Sequence, residues 1–228
     1  MSAPTPISSL VHSSTLVTAG LYLMLRFRAL LYTSPSVIRL LCACSIFTTF
    51  YAGLNSLVEQ DLKKLVALST LSHLGFIGLA VSAGFESLAL FHLFTHALFK
   101  SLIFMSLGEV ISSQSHYQDT RFLSSGILLS PESSRYIYMS SLSLFGLPFV
   151  RGFYSKDIVL ESVHFSSSLG FILLLLVYTN LIFTYCYTSR ILTFCVRSVK
   201  NTPYFNLFTP SSHTPYLVVL GLVRIIFG

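Results

Sequence analysis

Three ionisable side chains lie four residues apart inside an apolar stretch of the sequence, FHLFTHALFK, residues 91–100. His92, His96 and Lys100 occupy positions i, i+4 and i+8, which share one face of an α-helix. At 1.5 Å rise per residue, the three span about 12 Å along the helix axis. Histidine titrates near neutral pH, and a buried lysine can exist with or without its proton. The spacing therefore predicts a proton relay. The alternative is that neutral histidines hydrogen bond one helix to another.

A second group of ionisable residues follows in RGFYSKDIVLE, residues 151–161. Asp157, Glu161 and His164 have the spacing i, i+4, i+7 and share a helix face, whereas Lys156 points elsewhere. The functional interpretation is proton transfer beside a helix break. The alternative is a lysine that extends to the membrane surface and an acid that stabilises a helix N-terminus.

Other polar residues within apolar stretches are interpreted as structural from the residues alone. His12 stands among hydroxyl side chains, which favours a satisfied core group. Lys63 and Lys64 begin a helix, where solvation is the expectation. His73 lies beside serines and a threonine, and we interpret it as a polar group that holds helices together.

The composition identifies the class of protein. Of the 228 residues, 53% are hydrophobic and only 10% are charged, and the mean hydropathy is +0.75. A globular domain carries about 25% charged residues. The apolar stretches are long and uninterrupted, which favours membrane helices over a barrel of alternating strands. The net charge of +6 comes from basic residues at the ends of apolar stretches, so it predicts membrane flanks and no nucleic acid partner.

The apolar stretches predict one all-α membrane domain over residues 1–228, a polytopic transmembrane helical bundle. Gly146, Pro148 and Gly152 interrupt the fifth stretch and predict a broken helix near residues 146–152. Such breaks are typical of ion sites in transporters. The expected spans are residues 7–25, 37–57, 65–83, 87–111, 133–164 (broken) and 168–196, with a partial span at 216–227.

Motifs for cofactors are absent from the sequence. It has no P-loop, no glycine-rich dinucleotide fingerprint, no nucleophile elbow and no CxxC or other metal-ligand spacing. We therefore expect no bound nicotinamide, flavin, ATP or metal in this chain.

Four segments resemble the antiporter-like subunits of respiratory complex I. They are APTPISSLVHSSTLVTAG, DLKKLVALSTLSHLG, FHLFTHALFKSLIFM and GLPFVRGFYSKDIVLE, in the order of the family, and the resemblance extends from about residue 2 to residue 192. It implies an inner-membrane helical fold of inverted repeats, of which this chain is an antiporter-like half-repeat. HSST and GFYSKD are more similar to the mitochondrial version, so the expected location is the mitochondrial inner membrane.

The resemblance also implies roles for individual residues. Lys100 matches the lysine on the central axis of the second half-channel, and Lys156 matches the lysine beside the broken helix, near the exit to the intermembrane side. The polar links that feed Lys100 would be His12, His92 and His96. Asp157 and Glu161 are possible gating or exit residues, and Asp61 and Lys64 are weaker candidates.

The family's helices before the PTP segment have no counterpart in this sequence. They hold a glutamate–lysine pair, which we therefore expect on a separate chain that carries the N-terminal half of the same subunit. Further expected partners are other membrane-arm subunits of complex I and lipids such as cardiolipin. The resemblance places FMN, iron–sulfur clusters and ubiquinone on other subunits.

The resulting hypothesis is a fragment of a proton-pumping membrane-arm subunit of NADH:ubiquinone oxidoreductase. Redox energy released elsewhere would change the charge of the partner glutamate–lysine pair and so drive the proton on or off Lys100. One alternative is a subunit of a multi-subunit sodium/proton antiporter. Another is a membrane scaffold that pumps nothing, against which the costly buried charges argue.

Overall fold

The computed structural model describes residues 7, 11, 15–113, 118–121, 131–146, 151–166 and 171–196. Eight helices make up most of these residues. Within these residues the one β-type pairing is an isolated antiparallel bridge between Asp61 and Asp119. The predicted all-α class is therefore confirmed. In chain order the helices are α1 Leu16–Arg26, α2 Arg28–Tyr32, α3 Pro35–Val58, α4 Leu62–Ser82, α5 Glu86–Ser113, α6 Pro131–Phe145, α7 Arg151–Ser166 and α8 Phe171–Val196.

Three of these helices, α3, α4 and α5, are long and apolar enough to cross a membrane. They differ in how much surface they bury inside the chain. Helix α4 is the most enclosed, with 78% of its apolar window buried, against 28% for α3. Helix α4 is therefore the centre of the bundle, and α3 presents much of its apolar surface to its surroundings.

The ends of the helices follow ordinary capping chemistry. Pro35 occupies the first turn of α3, where its missing N–H costs nothing. After α4, Gly84 adopts a left-handed conformation with φ +88°. The Gly84 N–H bonds to the Val81 carbonyl at 3.1 Å, and the Phe85 N–H bonds to the Ala80 carbonyl at 3.0 Å. These two bonds form a Schellman motif, which turns the chain from α4 into α5.

The predicted break in the fifth span is present. Helix α6 ends at Phe145, Gly146 adopts φ +80°, and α7 begins at Arg151. Residues 147–150 lie outside the described residues. Gly152 then lies directly against the backbone of Ser143, where a Cβ atom would overlap the carbonyl oxygen. The two halves of the broken helix therefore approach each other backbone to backbone.

The start of the predicted N-terminal span, residues 7–25, remains a prediction, because residues 8–10 and 12–14 lie outside the described residues. The described helix α1 begins at Leu16 and stops at Arg26, and α2 continues after Phe27. Tyr32 in α2 donates a 2.7 Å hydrogen bond to the Val81 carbonyl near the end of α4. His12 and the predicted partial span at 216–227 lie outside the described residues.

The interior consists of two apolar clusters with a polar layer between them. One cluster contains Leu62, Leu65 and Val66 at the start of α4, and the other contains Phe76, Ile77 and Ala80 near its end. Helices α5 and α8 also contribute to both clusters. The side chains between the clusters are polar and buried, and they come from four helices: Ser69, Ser72, His73, His92, His96, Lys100, Ser155, Lys156, Thr184 and Tyr187. We call this set the polar layer. One of its members, Tyr187, also belongs to the first apolar cluster.

Candidate proton-relay site

Helix α5 directs His92, His96 and Lys100 into the bundle, as their spacing predicted. Their exposed fractions are 1%, 0% and 0%. His92 and His96 have ring centroids 6.4 Å apart. The spacing of four residues therefore does produce one continuous polar face, and that face is buried within protein.

Lys100 lies at one end of this face and has a partner on α4. Its Nζ donates a 2.6 Å hydrogen bond to Ser69 Oγ, which in turn donates to the Val66 carbonyl at 2.7 Å. The hydroxyl thus stabilises an ammonium group without a carboxylate. A lysine held by a neutral partner can give up its proton without leaving an unpaired buried anion.

His73 on α4 joins the three residues of α5, which the sequence analysis did not foresee. Its Nδ1 lies 3.4 Å from His92 Nε2, and its Nε2 lies 3.3 Å from the Tyr187 hydroxyl of α8. The His73 ring centroid is also 5.3 Å from that of His96. His73 does link helices, as predicted, and its neighbours are the two histidines that the sequence predicts for a proton relay.

At the other end of the face, His92 reaches the broken helix. Its Nδ1 lies 3.0 Å from Ser155 Oγ on α7. Thr95 Oγ1 also lies within 3.4 Å of that hydroxyl. Ser155 immediately precedes Lys156, so the histidine face leads to the lysine beside the break.

Lys156 is buried, with 4% exposure, so it does not extend to the membrane surface as the alternative interpretation required. Its Nζ donates a 2.8 Å hydrogen bond to Thr184 Oγ1 on α8 and lies 5.8 Å from the centre of the Phe76 ring. A hydroxyl and an aromatic face both stabilise an ammonium ion. Lys156 therefore occupies the same kind of environment as Lys100.

The acids of α7 lie outside the polar layer. Asp157 is half-buried, whereas Glu161 and His164 are exposed. They share a face of the helix, but that face points away from Lys100 and the histidines. Their role as gating or exit residues remains a prediction.

Asp61 and Lys64 form an ion pair at the start of α4, with 2.7 Å between the carboxylate and the ammonium group. The hydrogen bond from Lys64 lowers the pKa of Asp61. Lys64 is exposed, as expected for a solvated helix start, but Lys63 is buried with 9% exposure. The solvated interpretation of Lys63 was therefore wrong, because its face of α4 turns towards the bundle.

The arrangement has the chemistry of proton transfer. Imidazole, hydroxyl and amine groups share a short buried path. Imidazole and amine groups can gain and lose a proton, and a hydroxyl can accept one hydrogen bond while it donates another. Both ring nitrogens of His96 are buried without a hydrogen-bond partner among the described residues. Among the same residues, no group of three or more His, Cys, Asp or Glu is placed to hold a metal ion.

Several members of the polar layer were not predicted from the sequence as part of the site. Ser69 and His73 have the spacing i, i+4 on α4, which matches the polar face of α5 and was an available signal. Tyr187 and Thr184 gave no such signal, because hydroxyl side chains are common in apolar helices. Their partners lie 114 and 28 residues away along the chain.

A cavity of about 530 Å³ lies at one end of the bundle, away from the polar layer. It borders the connection between α3 and α4 and the end of α8, and none of the predicted relay residues lines it. Its side chains include Gln60, Thr120, Arg121 and Arg190. The candidate site is a network of buried side chains and is separate from this cavity.

Comparison with known proteins identifies similar sequences over most of the chain. A transmembrane family described as NADH:quinone oxidoreductase/Mrp antiporter matches residues 1–184. The chain is 41% identical over 228 residues to NADH-ubiquinone oxidoreductase chain 5 of Aedes aegypti, covering 98% of this chain and 39% of the relative. Chain 5 of Locusta migratoria is 43% identical over 231 residues, covering 100% and 40%. This chain thus spans about two fifths of the length of these curated relatives.

A solved structure of the membrane-bound sulfane sulfur reductase, an archaeal respiratory membrane complex, has a similar fold. The TM-score is 0.85 at 24% sequence identity, covering 99% of this chain and 46% of that chain. At this identity the likeness concerns the arrangement of the helices. The match independently supports an all-helical membrane bundle.

Proposed function

The chain belongs to the NADH:quinone oxidoreductase/Mrp antiporter transmembrane family, and we propose that it carries protons within the membrane arm of an NADH:ubiquinone oxidoreductase. The observation that carries the proposal is the polar layer. It holds His92, His96, Lys100 and Lys156 buried between two apolar clusters of a membrane protein. A buried ionisable group is costly in a membrane, and four in one layer are hard to explain by packing.

The proposed path runs through this layer from one helix to the next. Lys100 holds a proton against Ser69, the histidines pass protons across α5, and Lys156 holds the next proton against Thr184. Protonation of Lys100 and Lys156 is linked by repulsion, because both are cations when protonated and share a poorly screened interior. A change in charge at one end of the layer therefore drives a proton off the other.

The driving charge would come from outside this chain. We propose that a glutamate–lysine pair on the segment that precedes this one in the family changes its charge as redox chemistry proceeds elsewhere. FMN, iron–sulfur clusters and ubiquinone would belong to other subunits. The names of the curated relatives support membership of an NADH-ubiquinone oxidoreductase.

The setting that we propose is the mitochondrial inner membrane. The partners would be other membrane-arm subunits, a chain that supplies the N-terminal half of the subunit, and lipids such as cardiolipin. Co-purification with flavin and iron–sulfur subunits tests this setting. Co-purification with small antiporter subunits alone would contradict it.

Substitution of Lys100 by Met tests the function directly. In the complete complex reconstituted into liposomes, we expect Lys100→Met to abolish proton pumping and to leave assembly intact, because methionine fills the site without a titratable group. The measurement is the number of protons translocated per electron. Arg135→Met is the matched control, since it removes an exposed cation whose ion pair with Glu132 lies at the surface. A normal proton-to-electron ratio in Lys100→Met would refute the function.

A further inference from the structure

His73 lies where side chains from three helices meet. It faces His92 and His96 of α5 on one side and Tyr187 of α8 on the other. Both His73 and Tyr187 are buried, with 1% and 0% exposure. The relay residues of α5 are thus connected to α8 through one imidazole ring.

Hydrogen bonds extend in one line through this ring. The Tyr187 hydroxyl lies 3.3 Å from His73 Nε2, His73 Nδ1 lies 3.4 Å from His92 Nε2, and His92 Nδ1 lies 3.0 Å from Ser155 Oγ. Each neutral imidazole has one donor and one acceptor nitrogen, so the bond on one side of a ring fixes the role of the other side. Whether the Tyr187 hydroxyl donates or accepts therefore determines whether His92 donates to Ser155 or accepts from it.

The donors are consistent along the whole line. When the Tyr187 hydroxyl donates to Nε2 of His73, the proton of His73 resides on Nδ1 and is donated to His92 Nε2. His92 then holds its own proton on Nδ1 and donates it to Ser155. This leaves the Nε2 lone pair of His92 occupied by a hydrogen bond and its Nδ1 proton directed towards α7.

We propose that His73 and Tyr187 are positioning residues that fix the tautomer and ring orientation of His92 within the relay. The inference rests on the proposed function, because it assigns these residues a task within that proton path. His73 acts through the hydrogen bond from its Nδ1, and Tyr187 holds the His73 ring. In this role neither residue has to gain or lose a net proton.

The need for such positioning follows from the contacts of α5. His92 and His96 belong to the same helix, and their rings are 6.4 Å apart with no hydrogen bond between them. The ring of His73 is 5.6 Å from His92 and 5.3 Å from His96, nearer to each than they are to one another. A freely turning His92 would direct its proton towards Ser155 only part of the time.

Two substitutions of His73 separate positioning from proton carrying. His73→Leu removes both hydrogen bonds, whereas His73→Gln keeps them in kind: the amide oxygen accepts from Tyr187 and the amide nitrogen donates to His92. In the reconstituted complex we expect His73→Leu to lower the protons pumped per electron at least fivefold. His73→Gln should restore the ratio to within twofold of the unsubstituted protein.

The tautomer itself gives a further measurement. Infrared spectra of complex labelled with ¹⁵N-histidine distinguish imidazole protonated at Nδ1 from imidazole protonated at Nε2, and the difference from the spectrum of a His92→Gln variant isolates the signal of His92. We expect one His92 tautomer in the unsubstituted protein and in His73→Gln, and a mixture in His73→Leu. Tyr187→Phe keeps the aromatic ring and removes only the hydroxyl, so its effect reports the hydrogen bond to His73 and not a loss of packing. In this variant we also expect a mixture of His92 tautomers and a two- to fivefold loss of pumping.

Several outcomes would overturn the inference. They are normal pumping in His73→Leu, a Gln variant as deficient as the Leu variant, or a single His92 tautomer in Tyr187→Phe with normal pumping. Where His73→Leu does not assemble, Tyr187→Phe decides. Thr70→Val is the control on the same helix, because Thr70 is buried and its hydroxyl donates to its own helix at the Ala67 carbonyl. Normal pumping in Lys100→Met would refute the proposed function itself. If Lys100→Met loses pumping and His73→Leu pumps normally, only the positioning role is refuted.

Discussion

Lys156 Nζ donates a 2.8 Å hydrogen bond to Thr184 Oγ1, so a buried ammonium group joins the broken helix to α8. Thr184 also donates to the Leu181 carbonyl of its own helix at 2.8 Å. Its hydroxyl therefore presents its lone pair to the lysine. The contact places α7 and α8 in register at the level of the polar layer.

Replacement of Thr184 by Val removes this acceptor and preserves the shape of the side chain. A hydrogen bond to a charged group contributes about 1.5–3 kcal/mol, so we expect the protonated lysine to lose that stabilisation and pumping to slow roughly tenfold or more. The measurement is the initial rate of proton uptake by liposomes that contain the complex. Thr179→Val is the matched control, because the hydroxyl of Thr179 donates to its own helix at the Leu176 carbonyl. Equal rates for the two variants would contradict a role for the Thr184 contact.

Arg190 stabilises the end of α3. Its guanidinium donates to the Ser56 and Leu57 carbonyls at 3.0 and 2.7 Å and to the Glu59 carbonyl at 2.7 Å. The last carbonyls of a helix have no partner within the helix, and a cation is favoured beside them. We expect Arg190→Ala to lower the free energy of unfolding by about 1–3 kcal/mol.

Thermal unfolding of the protein in detergent measures the loss at Arg190. Arg190→Lys should recover only part of it, because an ammonium group does not reproduce the planar fork of donors. Arg39→Ala is the control, since within the described part of the chain the exposed Arg39 donates to its own helix at the Pro35 carbonyl. A stability of Arg190→Ala equal to that of Arg39→Ala would show that the carbonyls find other donors.

Substitution by alanine should change the stability in opposite directions at Gly152 and at Gly20. A Cβ atom at Gly152 would overlap the backbone of Ser143, so Gly152→Ala must separate the two halves of the broken helix. Overpacking of this kind costs about 1–3 kcal/mol. At Gly20 no described atom beyond the neighbouring backbone of its own helix lies within 4 Å of a Cβ, and Gly20→Ala should stabilise α1 by about 0.5–1 kcal/mol.

The same unfolding measurement compares the two glycines, and proton pumping by Gly152→Ala provides a second readout. Ser155 and Lys156 follow Gly152 on α7, so displacement of the helix would move both from the polar layer. We therefore expect pumping to fall together with stability. A Gly152→Ala protein as stable as Gly20→Ala would mean that the two backbones are farther apart than described.

The sequence was informative where one helix contains the whole signal. His92, His96 and Lys100 form a face of α5 by their spacing alone, and that face is buried. The break of the fifth span was likewise predictable, because Gly146 and the residues after it disfavour a continuous helix.

Contacts between distant helices were not predictable in this way. His73 reaches His92 across 19 residues and Tyr187 across 114, and those distances depend on how α4, α5 and α8 pack. The burial of Lys63 depends on which face of α4 meets the bundle. The periodicity of α4 predicts neither the contacts of His73 nor the burial of Lys63, because this helix is enclosed on nearly every side and has no single apolar face.

The two apolar clusters on either side of the polar layer also determine what the chain does not conduct. Ions that attempt to travel parallel to the helix axes would have to pass through tightly packed Leu, Ile, Val and Phe side chains, which offer them no solvation. The clusters therefore make it costly for an ion to cross the polar layer along the helix axes, so protons that enter or leave the layer must pass beside the clusters. We expect a polar side chain introduced into either cluster to lower this cost and to increase the leak of protons through the bundle, which would dissipate part of the gradient.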